Sequence, residues 1–271
     1  MLTDRRDAPA WMAKVAGVNT LSGYRVGYTP RMLLRSLFTI HNETANVWTH
    51  LLGFLVVLGC AAHVVGVVLR DGSWADHGLF ATFLLSALWC MGASSVYHLT
   101  YCHSQGVHRT TLFCDFFGIS LLVTGSFIPC VYYAFACFPL WRAVYTGLTA
   151  AVGAATLVLP WFAFFQTWYW RRIGLYFAAV ASGVVPAVHI MLLMPLNETT
   201  WPMFMGVFKM MLCYAAGLVF YAAKIPERWF PGQFDYWLHS HQIWHVFVLA
   251  ATVAHCFTCI GVYQRAQPPQ C

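Results

Sequence analysis

Charge is what this chain has least of. Only 9% of its 271 residues are charged and 60% are apolar, whereas soluble domains carry about 25% charged residues. That deficit excludes an ordinary soluble globule and argues for a membrane protein. Fifteen Lys and Arg against nine Asp and Glu give a net charge of +6. The basic residues form no stripe that would mark a nucleic-acid partner; they fall at the ends of apolar runs. Most of the ten cysteines, among them Cys60, Cys90, Cys114, Cys130, Cys213 and Cys256, lie inside apolar stretches, where a thiol behaves as a small hydrophobe. No C-x-x-C pair is matched by a second, which argues against a cysteine zinc site, and Cys256 and Cys259 read as neighbours on a helix. No internal repeat stands out, and no connection is long enough for a second domain. The first forty residues hold six Lys or Arg and no apolar h-region, so no cleavable signal peptide is expected.

What is present is long apolar runs. A helix needs roughly 20 apolar residues to cross the hydrocarbon core, and runs of that length lie at about 46–69, 78–101, 111–135, 142–162, 173–195, 203–224 and 239–262. The fold predicted is an all-α membrane protein of seven transmembrane helices. Arg5, Arg6, Lys14, Arg25, Arg31 and Arg35 precede the first run, and Arg109, Arg171, Arg172, Lys224 and Arg228 fall in loops on the same side. Arg70, Arg142 and Arg265 fall on the other, with Lys209 inside the sixth run. The positive-inside rule then places the N-terminus in the cytoplasm and the C-terminus outside, inverted relative to G-protein-coupled receptors. Trp48, Trp74, Trp141, Trp161, Trp168, Trp170, Trp201 and Trp237 sit near run ends, as an interfacial belt should. Residues 1–40 form a cytoplasmic segment in which PRMLLRSLF reads as a short amphipathic helix on the inner leaflet. Residues 41–262 form the membrane domain, and 263–271 a short outer tail.

Polar groups inside such runs are costly and mark function. Asp115, in TTLFCDFFGISLL, is the one acid well inside a run. By the predicted topology His98, Asp115, His241 and His245 share one layer near the cytoplasmic face. His63, His189 and His255 belong to the outer half and read as hydrogen-bonded core histidines. His77, His103 and His108 fall in loops. His241 and His245 in SHQIWHV are four residues apart, neighbours on one helix face roughly 6 Å from each other. With a third histidine from another helix they make the three-ligand shell of a catalytic zinc, the fourth position being left for water. Copper or iron stays open on ligand type alone. The protease motif H-E-x-x-H carries its base between the histidines, where this chain has Gln242, so a hydrolytic base must be Asp115. Ser94 lies one turn before His98 and could polarise a carbonyl or hold the metal's water; the bland alternative is back-bonding to its own helix. HNETANVWTH supplies Glu43, Asn46 and His50 at the start of the first run, His50 being either a supporting group or a rival ligand to His98.

The stretches RSLFTIHNETANVWTHLLGF, VYHLTYCHS, GSFIPCVYYAF, SGVVPAVH and LVFYAAKIPERWFPGQFDYWLHSHQIWHVFV carry E-x-x-N-x-x-x-H, S-x-x-x-H and H-x-x-x-H patterns. In them the chain resembles the progestin and adipoQ receptor (PAQR) family, most closely its adiponectin receptors, over nearly all of Tyr24 to His255. The resemblance implies an inverted seven-helix receptor with zinc bound by His98, His241 and His245, with Asp115 at the metal's water and Ser94 beside it. It also implies hydrolysis of a membrane lipid amide, ceramide to sphingosine and fatty acid, regulated by an extracellular protein or lipid ligand. The chain departs from adiponectin receptors in its shorter ends and in the loops RDGSWADH and PLNETTWP, which puts binding of adiponectin itself in doubt. No glycan is expected at the N-E-T sequons of Asn42 and Asn197. Two other functions stay in view: a non-enzymatic receptor with a structural zinc, and an ion transporter using the polar layer. The transporter is disfavoured because no pair of broken helices stands out.

Overall fold

The computed structural model describes residues 2–162, 164, 169–194 and 200–266; Trp168, Asn197 and the last five residues of the tail lie outside that set. Every regular element within it is helical. In chain order these are α1 (Ala10–Ala16), α2 (Pro30–Ser36), α3 (Thr44–His63, continued by a π-helical turn Val64–Val68), α4 (Trp74–Thr100), α5 (Gln105–Ala134), α6 (Pro139–Val158), a 3-10 turn (Leu159–Trp161), α7 (Tyr169–Ser182), α8 (Val184–Leu193), α9 (Trp201–Ala223) and α10 (Ser240–Arg265). Six stretches are long and apolar enough to cross a membrane: Thr44–Val68, Trp74–Thr100, Gln105–Ala134, Ile173–Leu193, Trp201–Ala223 and Ser240–Arg265. The remaining expected span corresponds to α6, whose 20 residues give it roughly 30 Å of length. Its hydropathy is diluted by Trp141, Arg142, Tyr145, two glycines and three hydroxyl or amphipathic positions (Thr146, Thr149, Thr156). The expected fifth span is interrupted at Gly183, between α7 and α8.

The chain divides into two compact units. The first comprises Met1–Val56, Met91–Phe116 and Met211–Ala251. Here the N-terminal segment is folded. Met12, Tyr24 and Leu33 form a buried cluster with Tyr97, Tyr101 and Cys102. The predicted amphipathic helix is α2, which buries Leu33 and Ser36 and turns Leu34 outward, with Phe38 exposed just beyond it. Asp235 accepts the backbone N–H groups of Leu21 (2.9 Å) and Ser22 (2.8 Å), fastening this segment to the loop before α10. Arg25 is fully buried and donates to Ser36 Oγ (2.7 Å), His98 O (2.7 Å) and Leu99 O (3.1 Å). It needs no carboxylate: the last carbonyls of α4 lack helical partners and carry the negative end of the helix dipole. α9 and α10 approach closely at Gly217, where a Cβ would stand 2.7 Å from Phe247.

The second unit comprises Val57–Cys90, Phe117–Met210 and Thr252–Cys271. α4 opens on a capping box: Asp76 Oδ2 accepts Ser73 N–H (2.9 Å) and Ser73 Oγ accepts Asp76 N–H (3.2 Å). Asp76 Oδ1 also accepts the Tyr133 hydroxyl at 2.6 Å, tying α4 to the end of α5. Small residues let helix backbones meet, as is usual where lipid removes the hydrophobic drive for association. A Cβ at Gly125 would come within 2.4 Å of Thr82 O, and one at Gly206 within 2.3 Å of Thr258. Buried His255 donates to Ser126 O (2.7 Å) as a core histidine should, whereas His189 is only half-buried and bonds the Tyr145 hydroxyl (2.8 Å). His63 corrects the expectation: the last residue of α3, it is exposed. Depth along a run gives the level of a residue but not the face it occupies. His77 and His108, expected in loops, belong to the first turns of α4 and α5.

Candidate metal centre

All the residues singled out for chemistry lie in the first unit, and four helices bring them to one place. α10 begins at Ser240 because Glu227 accepts that residue's N–H (2.8 Å) and its hydroxyl. His241 therefore stands in the first turn and His245 one turn on. His98 comes from the last turn of α4. One ring nitrogen from each of His98, His241 and His245 lies within 4.8 Å of the other two. His98 Nε2 and His241 Nε2 are 3.2 Å apart. Tetrahedral zinc with bonds of roughly 2.0–2.1 Å would separate its nitrogens by about 3.3 Å, so this spacing suits a metal. His98 and His245 are buried and His241 half-buried.

Neighbours decide which nitrogen two of the rings offer. Glu43 Oε2 sits 2.8 Å from His98 Nδ1 and takes a second hydrogen bond from the Asn46 amide at 2.6 Å. A carboxylate oxygen only accepts, so His98 Nδ1 carries a proton, which leaves Nε2 as the nitrogen this ring can offer to a metal. Burial would push the Glu43 carboxyl up, but His98 and Asn46 outweigh it and hold the group below the ordinary carboxylate range. Thr49 Oγ1 donates to Ala45 O (2.7 Å) and lies 3.2 Å from His245 Nδ1. With its own hydrogen committed, Thr49 accepts from Nδ1, which leaves His245 Nε2 free to ligate. Three imidazoles whose ring nitrogens converge fit a divalent metal.

Of the other expected residues, Ser94 is buried on α4 and hydrogen-bonds the Asp115 carboxylate of α5, which also interacts electrostatically with His98. Asp115 is half-buried and stands outside the group of three ligand nitrogens. His50 does not enter that group either; its ring stacks on His245, centroids 3.6 Å apart at 11°. Gln242 turns away and donates to Tyr236 O at 3.0 Å. Asn42 is buried, and the Trp237 ring of the predicted belt is half exposed.

Two contributors escaped the sequence reading. Thr49 sits in an apolar helix, where a hydroxyl ordinarily bonds its own backbone, and that bond is also present. Arg25 lies 73 residues from the carbonyl of His98 that it holds. Neither carries a local signal.

Comparison with known proteins places the chain in a family. The model of the family described as haemolysin-III related matches residues 38–256. The chain is 34% identical over 233 residues to the adiponectin receptor protein of Drosophila melanogaster, covering 83% of this chain and 51% of that protein. It is 30% identical to heptahelical transmembrane protein 3 of Arabidopsis thaliana, covering 90% of this chain and 83% of the relative. Progestin and adipoQ receptor-like protein 1 of Caenorhabditis elegans is 31% identical, with 82% and 52% covered. The chain spans about half the length of the fly and nematode relatives.

Proposed function

The chain belongs to the haemolysin-III-related (PAQR) family of multi-pass membrane proteins, and from that premise we propose that it is an adiponectin-receptor-like, zinc-dependent hydrolase of lipid amides such as ceramide. The observation that carries this reading is the number of ligands. Three histidines converge and no fourth His, Cys, Asp or Glu joins them among the described residues. Structural zinc sites are closed by four protein ligands, whereas catalytic ones keep a position open. Zinc is preferred to copper or iron because the set holds neither thioether nor facial carboxylate.

Zinc held by His98, His241 and His245 would supply Lewis acidity toward an amide carbonyl and would acidify water. The remaining work belongs to side chains. Ser94 donates to Asp115 and fixes its carboxylate, whose other lone pairs are free to take a proton from water and return it to the departing amine. Glu43 and Asn46 keep the His98 ring in the tautomer that offers Nε2. A two-chain substrate reaches the site from the bilayer, since the helices around it are spans. The distribution of Lys and Arg, eleven on one side and three on the other by the seven-span reading, supports a cytoplasmic N-terminus. α6 then serves as the fourth of seven spans.

The test is release of fatty acid from ceramide by purified, zinc-loaded protein, compared with Asp115→Ala and His241→Ala. Both variants should lose at least about a hundredfold in rate, the scale of a general base or a metal ligand. Turnover equal to the parent in both would remove the hydrolase. Absence of turnover in every form, with ligand-dependent signalling intact, would favour a receptor in which zinc is structural.

A further inference from the structure

The other compact unit carries a groove on its surface. α6 and α8 frame a groove of about 540 Å³ lined by Tyr145 from α6 and by Val184, Val185, Val188, His189 and Leu192 from α8. It is a shallow depression, open along most of its length rather than enclosed. Val184, Val185, Val188 and Leu192 are exposed, so the groove opens on the surface that two spans present to the bilayer. β-branched side chains hold one rotamer on a helix, and three valines make this wall stiff.

The groove has one polar feature. Tyr145 Oη and His189 Nδ1 are 2.8 Å apart, and Trp141 packs edge-on against the imidazole at 4.5 Å. If the tyrosine donates, its oxygen can still accept and His189 Nε2–H can still donate. If Nδ1–H donates, the tyrosine O–H can still donate and Nε2 can accept. Either way the pair keeps one donor and one acceptor, the complement of a single hydroxyl. Among the described residues no cation joins it: Arg142, three residues before Tyr145, lies over the Tyr132 ring at 4.7 Å. A phosphate headgroup therefore finds no charge partner.

Depth adds the last element. His189 is four residues from the end of α8 and Tyr145 six from the start of α6, about 6 and 9 Å along the helices. Val184 and Val185 lie deeper. A ligand held here keeps its hydroxyl near the membrane surface and points a rigid apolar body toward the midplane. From these observations we propose that the α6–α8 groove binds a 3-hydroxysterol, its hydroxyl on the Tyr145–His189 pair. The proposal stands independently of the hydrolase reading.

The experiment uses the full chain in phosphatidylcholine nanodiscs with a photoreactive 3-hydroxysterol bearing a ring diazirine, and maps adducts by mass spectrometry. Saturable adducts are expected within 139–145 and 184–192, displaced by cholesterol but at least about tenfold less well by its 3-methyl ether. Tyr145→Phe and His189→Leu should each weaken binding by about three- to tenfold, the scale of one hydrogen bond. Val188→Trp, which fills the groove from its open side, should abolish the adducts while leaving the melting temperature of the protein unchanged. Should Val188→Trp unfold the chain, Val185→Trp from the same open face replaces it. Adducts that rise without saturation, that map elsewhere, or that the methyl ether displaces as well as cholesterol would overturn the assignment.

Discussion

Glu43→Gln probes the metal centre with the least change of shape. The Glu43 carboxylate accepts His98 Nδ1–H at 2.8 Å and the Asn46 amide at 2.6 Å on the same oxygen. Glutamine keeps one accepting oxygen in reach of both but removes the charge. Hydrogen bonds to charged groups contribute about 1.5–3 kcal/mol and neutral ones about 0.5–1.5, so the His98 bond should weaken by about 1–2 kcal/mol. Weaker polarisation makes the imidazole a poorer donor, and the loss appears as about five- to thirtyfold lower zinc affinity, near the 10–100-fold typical of groups supporting a metal-bound histidine. Competition against a chromogenic chelator in detergent reads this directly, and the melting temperature of the zinc-free protein reports whether the fold is spared. Zinc affinity within about twofold of the parent, at equal apo-protein stability, would refute the claim that Glu43 acts on the metal through His98.

The remaining predictions probe other links. Thr49→Val deletes the side-chain acceptor for His245 Nδ1–H, leaving the Asn46 carbonyl as the backbone partner of that ring, and should cost up to about 1 kcal/mol, at most a roughly fivefold loss of zinc affinity that Thr49→Ser restores; failure of serine to rescue would mean that packing, not the hydrogen bond, matters. Gly125→Ala places a methyl 2.4 Å from Thr82 O. A backbone atom cannot swing aside, so destabilisation of about 1–3 kcal/mol is expected, visible as a lower melting temperature, and an unchanged one would contradict the close crossing. His41 is kept neutral by burial and by Arg25, which lower its pKa to about 4, while the unfolded chain titrates near 6.5. Its share of stability is complete above about pH 6.5 and lost as pH falls toward 4, about 3 kcal/mol in all. His41→Gln should flatten that acid limb in melting curves, and parallel curves for parent and variant would disprove it.

The convergent histidines were legible because polarity in an apolar run has few innocent explanations. A period of four joined His241 to His245, and the alternation of spans brought His98 and Asp115 to their level. The same reasoning misplaced His63, since depth says nothing about which face of α3 a side chain takes. The folded N-terminal segment was illegible for another reason. Asp235 holds the N–H of Leu21 across 214 residues of chain, and Arg25 caps a helix end 73 residues away; neither loop carries a periodicity to read. The break at Gly183 and the π-helical turn at Val64–Val68 are backbone events inside uniformly apolar sequence, where hydropathy is blind.

The anchors found in the first unit explain why the histidines sit at helix ends. Arg25 fixes the carbonyl of His98 itself, and Glu227 fixes Ser240, one residue before His241. Each ligand helix is thus tied by a side chain from a loop, something the middle of a span cannot offer. Charge completes the argument. Zinc on three neutral imidazoles would leave two positive charges in a low-dielectric layer, a costly arrangement unless compensated. Glu43 reaches His98 directly and Asp115 interacts with it electrostatically, so two carboxylates face one dication. On this reading Glu43 is as necessary as Asp115. On the proposed hydrolase reading one carboxylate would hold a ligand ring and the other would stand where a proton must move, and together they would offset the charge of the metal.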